Sequence, residues 1–136
     1  MKDMNLQKKA DMIEKAKAYI EKNLDQELTL EGVARELHYS KGYLARAFAR
    51  GTGCTVYKYI QGRRLDKAAE QLAETQKTIA QIAQEANYGS QQAFDHAFRL
   101  RYHCTPQDYR KAILLLAESS AGKGHTLHFS LRRMAA

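Results

Sequence analysis

A unit of roughly thirty residues occurs twice in this chain, and a tandem repeat limits the possible folds more than any other feature. At an offset of 50, Ser40 meets Ser90, Leu44 meets Phe94, Ala47 meets Ala97 and Phe48 meets Phe98. Further along, Cys54-Thr55 meets Cys104-Thr105 and Tyr59 meets Tyr109. Upstream the offset is 49: Thr29-Leu30 meets Thr78-Ile79, Val33-Ala34 meets Ile82-Ala83, Glu36 meets Glu85 and Tyr39 meets Tyr88. Gly89 is the residue added in the second copy. The copies span about 29–59 and 78–109. A stacked solenoid needs three or more repeats, so the pattern predicts a pair joined by a connector.

Each copy reads as a short helix, a tight turn and a second helix. In the first copy Thr29 is an N-cap, and Glu31 in the first turn favours the helix dipole. Leu30, Val33, Ala34 and Leu37 fall at i, i+3, i+4 and i+7, one apolar stripe. Ser40 caps the next helix, with Leu44, Ala47 and Phe48 facing inward. The second copy uses Thr78 ahead of Ile79, Ile82, Ala83 and Ala86, then Ser90 ahead of Phe94, Ala97 and Phe98. His38 and Asn87 stand where a left-handed residue is needed, a conformation that His and Asn tolerate better than most. Two helices joined this way form a helix-turn-helix, whose second helix enters the DNA major groove.

The remaining segments read as scaffold. Ala10 to Leu24 is an amphipathic helix with Ile13, Ala16, Ala18, Tyr19 and Ile20. Thr55 caps a long helix from Val56 to Glu74 carrying Ile60, Leu65, Ala68, Ala69 and Leu72. Thr105-Pro106 opens a last helix with proline at its favoured first position, and Tyr109, Ile113, Leu114 and Leu116 give it an apolar face. From Ser119 the pattern gives way to Ser-Ser-Ala-Gly-Lys-Gly, and 119–136 is expected to be a mobile tail.

Composition narrows the function. The chain has 136 residues, enough for one compact domain or two very small ones. Its formal net charge is +7, unevenly placed. Residues 1–36 hold a net of −1, so the rest carries +8. Between 40 and 67, Lys41, Arg46, Arg50, Lys58, Arg63, Arg64 and Lys67 face Asp66 alone. That density suggests an anionic partner, nucleic acid first. Two cysteines cannot make a disulfide-dense scaffold, so a reducing, cytoplasmic location is expected; association with the nucleoid is expected only through the nucleic-acid partner. No run of eighteen apolar residues exists, which excludes a membrane span, and Met1 to Ala10 has no apolar signal core. Five histidines and two cysteines form no close-spaced ligand set, so neither a metal, another cofactor nor an enzymatic activity is expected. Cys54 and Cys104, at equivalent repeat positions, read as fillers of the same small apolar niche.

The motifs together resemble the AraC-type DNA-binding domain, and within it the short, stand-alone regulators of the MarA, SoxS and Rob type. The likeness is carried by Leu-Thr-Leu-Glu-Gly-Val-Ala at 28–34, Tyr-Ser-Lys-Gly-Tyr-Leu-Ala-Arg-Ala-Phe at 39–48 and Ile-Ala-Gln-Ile-Ala at 79–83. Ser-Gln-Gln-Ala-Phe at 90–94 and Thr105-Pro106-Gln-Asp-Tyr-Arg110 complete it. It covers about residues 8–113. The resemblance implies an all-α protein of seven helices with two helix-turn-helix subdomains, 8–55 and 75–117, a linker helix at 56–74 and the tail from 118. It also implies recognition helices at 41–51 and 91–101 that enter adjacent major-groove segments on one face of promoter DNA. The expected protein is a monomer that activates transcription and contacts RNA polymerase. With seven residues before the match and about 23 after it, control by abundance is expected rather than by a small molecule. The competing expectation is a basic helical adaptor gripping RNA or acidic proteins, which would explain the charge but not caps, turns and outward polar sets placed alike twice.

On the first recognition helix, Lys41, Gly42, Ala45 and Arg46 are the candidate base readers. Arginine grips guanine bidentately through O6 and N7, and the resemblance also places Arg46 at a DNA contact. The alternatives for Arg46 are a phosphate contact or a solvated side chain. Gly42 stands where relatives often carry a large aromatic, and Ala45 where they carry glutamine. On the second helix the set is Gln91, Gln92, Asp95 and His96. Glutamine pairs bidentately with adenine; Asp95 opposes phosphate unless it accepts from a cytosine amino group. His96 replaces an arginine common in relatives, so the second half-site is expected to be held more weakly. Ser40, Tyr43, Arg50, Arg63, Arg64, Ser90, Arg99 and Arg101 are candidates for the DNA backbone, with solvated surface positions as the alternative.

Overall fold

The computed structural model describes residues 2–119, and side chains from residue 5. Seven helices follow one another: α1 (Lys2–Lys22), α2 (Leu30–Glu36), α3 (Lys41–Thr52), α4 (Val56–Glu74), α5 (Ile79–Glu85), α6 (Gln91–Tyr102) and α7 (Pro106–Ser119). No strand occurs among the described residues.

The helix starts are set by hydroxyl caps at six matched positions. Thr29 Oγ1 accepts from Gly32 N at 2.9 Å and Thr78 Oγ1 from Gln81 N at 3.1 Å. Ser40 Oγ accepts from Tyr43 N and Ser90 Oγ from Ala93 N. Thr55 and Thr105 cap α4 and α7 in the same way, through Lys58 N and Asp108 N. Each cap satisfies one amide that the first turn leaves without a helical partner. Only the second copy adds the reciprocal bond of a capping box, Thr78 N to Gln81 Oε1 at 2.9 Å.

The two tight turns are built alike. After α2, Tyr39 N donates to Ala34 O and His38 N to Arg35 O, with His38 at φ 62°. After α5, Tyr88 N donates to Ala83 O and Asn87 N to Gln84 O, with Asn87 at φ 64°. This bonding pair is the Schellman arrangement, which needs a left-handed residue where His38 and Asn87 stand. A second matched pair closes the recognition helices: Gly53 at φ 80° and His103 at φ 62°, whose amides donate to Ala49 O and Arg99 O. Glycine meets that conformation without Cβ strain; His103 meets it at a cost that glycine avoids.

The chain divides into two compact units between Arg63 and Arg64, inside α4. The boundary falls within the helix that the sequence assigns to a connector because that helix supplies both cores. Val56 and Ile60 belong to the first, with Met12, Ala16, Ile20, Leu44 and Phe48. Leu65, Ala68, Ala69 and Leu72 belong to the second, with Ile82, Phe94, Phe98, Tyr102, Tyr109 and Ile113. Phe48 meets Tyr59 edge-on at 5.4 Å, and their counterparts Phe98 and Tyr109 do so at 5.5 Å. The closing motif explains itself in the second unit. Thr105 caps, Pro106 takes the first helical position, Tyr109 enters the core, and Arg110 donates to Leu72 O and Thr75 O at the end of α4.

Several expectations shift. α1 begins at Lys2 rather than Ala10: the preceding Lys, Gln and Leu residues are good helix formers that need no buried stripe. In α1 Met12, not Ile13, joins Ala16 and Ile20 in the core, while Ala18 is exposed. α7 continues to Ser119, and its Leu114 and Leu116 are exposed at 55% and 37%, because Tyr109 and Ile113 already fill the inward positions. The rest of the expected 118–136 tail lies outside the described residues.

Candidate nucleic-acid interface

α3 and α6 each bury one face and present the other. On α3, Leu44, Ala47 and Phe48 are buried; Lys41, Gly42, Tyr43, Arg46 and Arg50 are exposed, and Ala45 is half-buried. Lys41, Arg46 and Arg50 enter no ion pair among the described residues. On α6, Phe94, Phe98 and Tyr102 are buried; Gln91, Gln92, His96 and Arg99 are exposed. Ser40 and Ser90 are exposed with their oxygens engaged as caps, so each helix presents its first-turn amides from a fixed start, an arrangement suited to phosphate.

Gly42 has a specific use. A Cβ added there would lie 3.1 Å from Arg46 Nη1 and 3.8 Å from Arg46 Cζ. The guanidinium therefore packs beside the bare backbone one turn earlier, and a Cβ at 42 would need it to yield by only a few tenths of an ångström.

Three candidate backbone contacts are not free surface charges. Arg63 donates from Nε and Nη2 to Glu21 at 3.0 and 2.8 Å. Arg101 donates from Nε and Nη2 to Asp66 at 2.8 and 2.9 Å, and Tyr102 Oη donates to Asp66 Oδ1 at 2.6 Å. Asp66 is 3% exposed, so this is a buried anchor from α4 to α6. Its hydrogen bond raises Arg101 above the ordinary guanidinium value, while burial first, and then Asp66, raises the Tyr102 phenol. Arg64 is half-buried, and burial lowers its guanidinium against an opposing effect of Tyr88. Arg63 and Arg101 retain only their remaining N–H donors for a phosphate.

Asp95 departs from the outward reading. It is half-buried, its Oδ1 is buried with no hydrogen-bond partner among the described residues, and burial raises its carboxyl above the ordinary value. An aspartate raised in the fold ionises first in the unfolded chain, so stability falls as pH rises from the ordinary carboxylate range, ~4. Asp95→Asn is expected to stabilise the protein at neutral pH by well under about 1 kcal/mol, since it removes a charge whose desolvation cost solvent screening around this partly exposed side chain largely offsets. Urea unfolding at neutral pH and near pH ~4 checks this; the gain shrinks toward the acid value. A gain unchanged between the two would contradict it.

No group of three His, Cys, Asp or Glu among the described residues could hold a metal. Cys54 and Cys104 are half-buried and pack against matched cores, and burial, then Asp108, raises the Cys104 thiol, the opposite of nucleophile activation.

The molecule's likeness to known proteins agrees with this geometry. A helix-turn-helix domain family matches residues 33–112. The TetD protein of transposon Tn10 from Escherichia coli is 45% identical over 93 residues, 68% of this chain and 67% of that one. The regulatory protein SoxS of Escherichia coli K12 is 43% identical over 93 residues, 68% of this chain and 87% of SoxS. A solved transcriptional regulator with an AraC-type DNA-binding domain, from Chromobacterium violaceum, superposes with a TM-score of 0.74 at 25% identity, covering 83% of this chain and 96% of that one.

Proposed function

This chain belongs to the AraC-type helix-turn-helix family of DNA-binding transcriptional regulators, as a relative of SoxS, and from that membership we propose that it activates promoters as a monomer gripping two successive major-groove segments. The observation that carries the reading is one chain with two unlike heads. Lys41, Gly42, Ala45 and Arg46 lie on one recognition helix; Gln91, Gln92, Asp95 and His96 lie on the other. A protein with a single head must dimerise to cover two half-sites, and its site is then a palindrome. Two different heads require neither. Arg46 reads guanine, the glutamines read adenine, and Lys41 and Gly42 open the first helix against the duplex. Ser40, Tyr43, Arg50, Ser90 and Arg99 hold the backbone, with the half-buried Arg64 and the carboxylate-paired Arg63 and Arg101 reinforcing. Contact with RNA polymerase completes the activator role.

The test is the mass of the complex on a promoter fragment selected from random duplexes. One protein per duplex is expected; two would count against the proposal. A purified transcription reaction on that fragment checks activation, expected to rise on adding the protein.

His96→Arg is expected to tighten binding, because Arg99 is the one cation of α6 outside an ion pair among the described residues, and the family resemblance places an arginine at position 96. Each phosphate neutralised adds about one unit to the slope of log K against log salt. Titrations at several salt concentrations read both changes. Weaker binding would mean that the imidazole makes a fitted contact that arginine cannot replace.

A further inference from the structure

Beside the reading face of α3 lies an open groove of about 500 Å³, formed with α1 in the first unit. Its floor is apolar: Leu6, Ala10 and Ile13 from α1 meet Ala47 and Gly51 from α3. Gly51 lets the Ile13 side chain lie against the α3 backbone in this floor, since a Cβ there would collide with Ile13 Cδ1. The repeat shows that this is particular to the first unit. The position matching Gly51 is Arg101, which is tied to Asp66. Lys9, Arg46 and Arg50 form the rim, and no carboxylate lines the groove. None of the three cations is held in an ion pair among the described residues. Tyr43, 38% exposed, adds an aromatic wall.

We infer that this groove binds a small amphipathic organic anion, an aryl-alkyl carboxylate, with its ring on the apolar floor against Tyr43 and its carboxylate on Arg46 and Arg50. The volume falls in the range of small-molecule sites, roughly 300–1,000 Å³, which combine an apolar lining with a few converging polar groups. Two guanidiniums are suited to a carboxylate. A DNA phosphate would use the cations but leave the floor wet, with Leu6 64% exposed. Because Arg46 and Arg50 also face DNA, an occupied groove competes with the promoter. That consequence rests on the proposed DNA contacts; the binding itself does not.

The probe is 4-phenylbutyrate, compared with butyrate, which lacks the ring, and 4-phenylbutanamide, which lacks the charge. Amide resonances of the DNA-free protein are followed during titration. 4-Phenylbutyrate is expected to move amides of residues 6–13 and 43–51 as one set, with both controls at least about tenfold weaker. Ala10 is exposed on the floor and outside the DNA-reading set. Ala10→Glu should bind the probe about tenfold less tightly than Ala10→Lys, both giving folded spectra. Butyrate or the amide binding as well as the probe, shifts scattered over both units, or equal affinity of the two variants would overturn the inference. Promoter affinity is then measured with and without the probe. A protein that binds DNA but shows no groove shifts loses the groove alone. One that shows groove shifts but binds no DNA loses the proposed function and keeps the groove. Groove binding with promoter affinity unchanged by the probe would overturn the competition.

Discussion

Asp66→Ala is expected to cost about 2–4 kcal/mol of folding stability. The carboxylate is 3% exposed and accepts three hydrogen bonds, two from Arg101 and one from Tyr102, which is itself 4% exposed. Removing it leaves a buried phenol without an acceptor and a guanidinium without its counter-ion. A fully buried pair broken on one side costs about 3–5 kcal/mol. Arg101 is 45% exposed and recovers part of its hydration, which sets the lower range. The contrast is Glu21→Ala, which breaks the pair with Arg63 where Glu21 is 48% exposed; such surface pairs contribute about 1 kcal/mol or less. Urea unfolding of both variants measures the difference. Equal losses would mean that the Asp66 anchor is no stronger than a surface pair. Since Arg101 and Tyr102 end α6, the Asp66 variant should also loosen the second reading head.

Arg46→Ala is expected to weaken binding to the selected promoter by about 1–3 kcal/mol and to flatten preference at one base pair. Arg46 is the long multi-donor side chain at the middle of the exposed face of α3, and it is poised over Gly42 rather than tied to a carboxylate. The matching control is Arg50→Ala, a cation near the end of the same helix, which should weaken all sequences evenly and reduce the salt slope by about one unit. Arg50 suits this comparison better than Arg63, whose charge Glu21 already offsets. Competition among all single-base variants of the site gives the answer. A profile unchanged by Arg46→Ala would reassign that arginine to the backbone.

What the sequence disclosed, and what it did not, follows from range. Caps at Thr29, Ser40, Thr55, Thr78, Ser90 and Thr105 bond to amides three residues on, so residue order alone places them. The left-handed His38 and Asn87 were legible because the stripe before them ends and the next cap follows two and three residues on. Gly53 and His103, matched across the repeat, carried the same signal less openly, since only one of them is glycine. The Asp66 anchor was hidden because its partners lie 35 and 36 residues away. Its one trace was a lone acid in a basic stretch, which is where a buried counter-charge would stand out. Arg63 with Glu21, 42 residues apart, left no such trace. The half-burial of Asp95 and the placement of Ile13 over Gly51 depend on packing that periodicity does not resolve. The exposed faces of α3 and α6 were legible as polar positions opposite apolar stripes, but which cations lack an ion pair among the described residues required the folded chain.

On the proposed function, two unlike heads on one chain read two segments of one duplex. Hydroxyl-radical footprinting of the selected promoter, with wild type, Arg46→Ala and His96→Arg, tests it most directly. Two protected segments are expected on one face of the duplex, one helical turn of ~10.5 bp apart and unlike in sequence. Protection of one should fade with Arg46→Ala, and protection of the other should strengthen with His96→Arg. A symmetric footprint in which both segments respond alike to each substitution would contradict it.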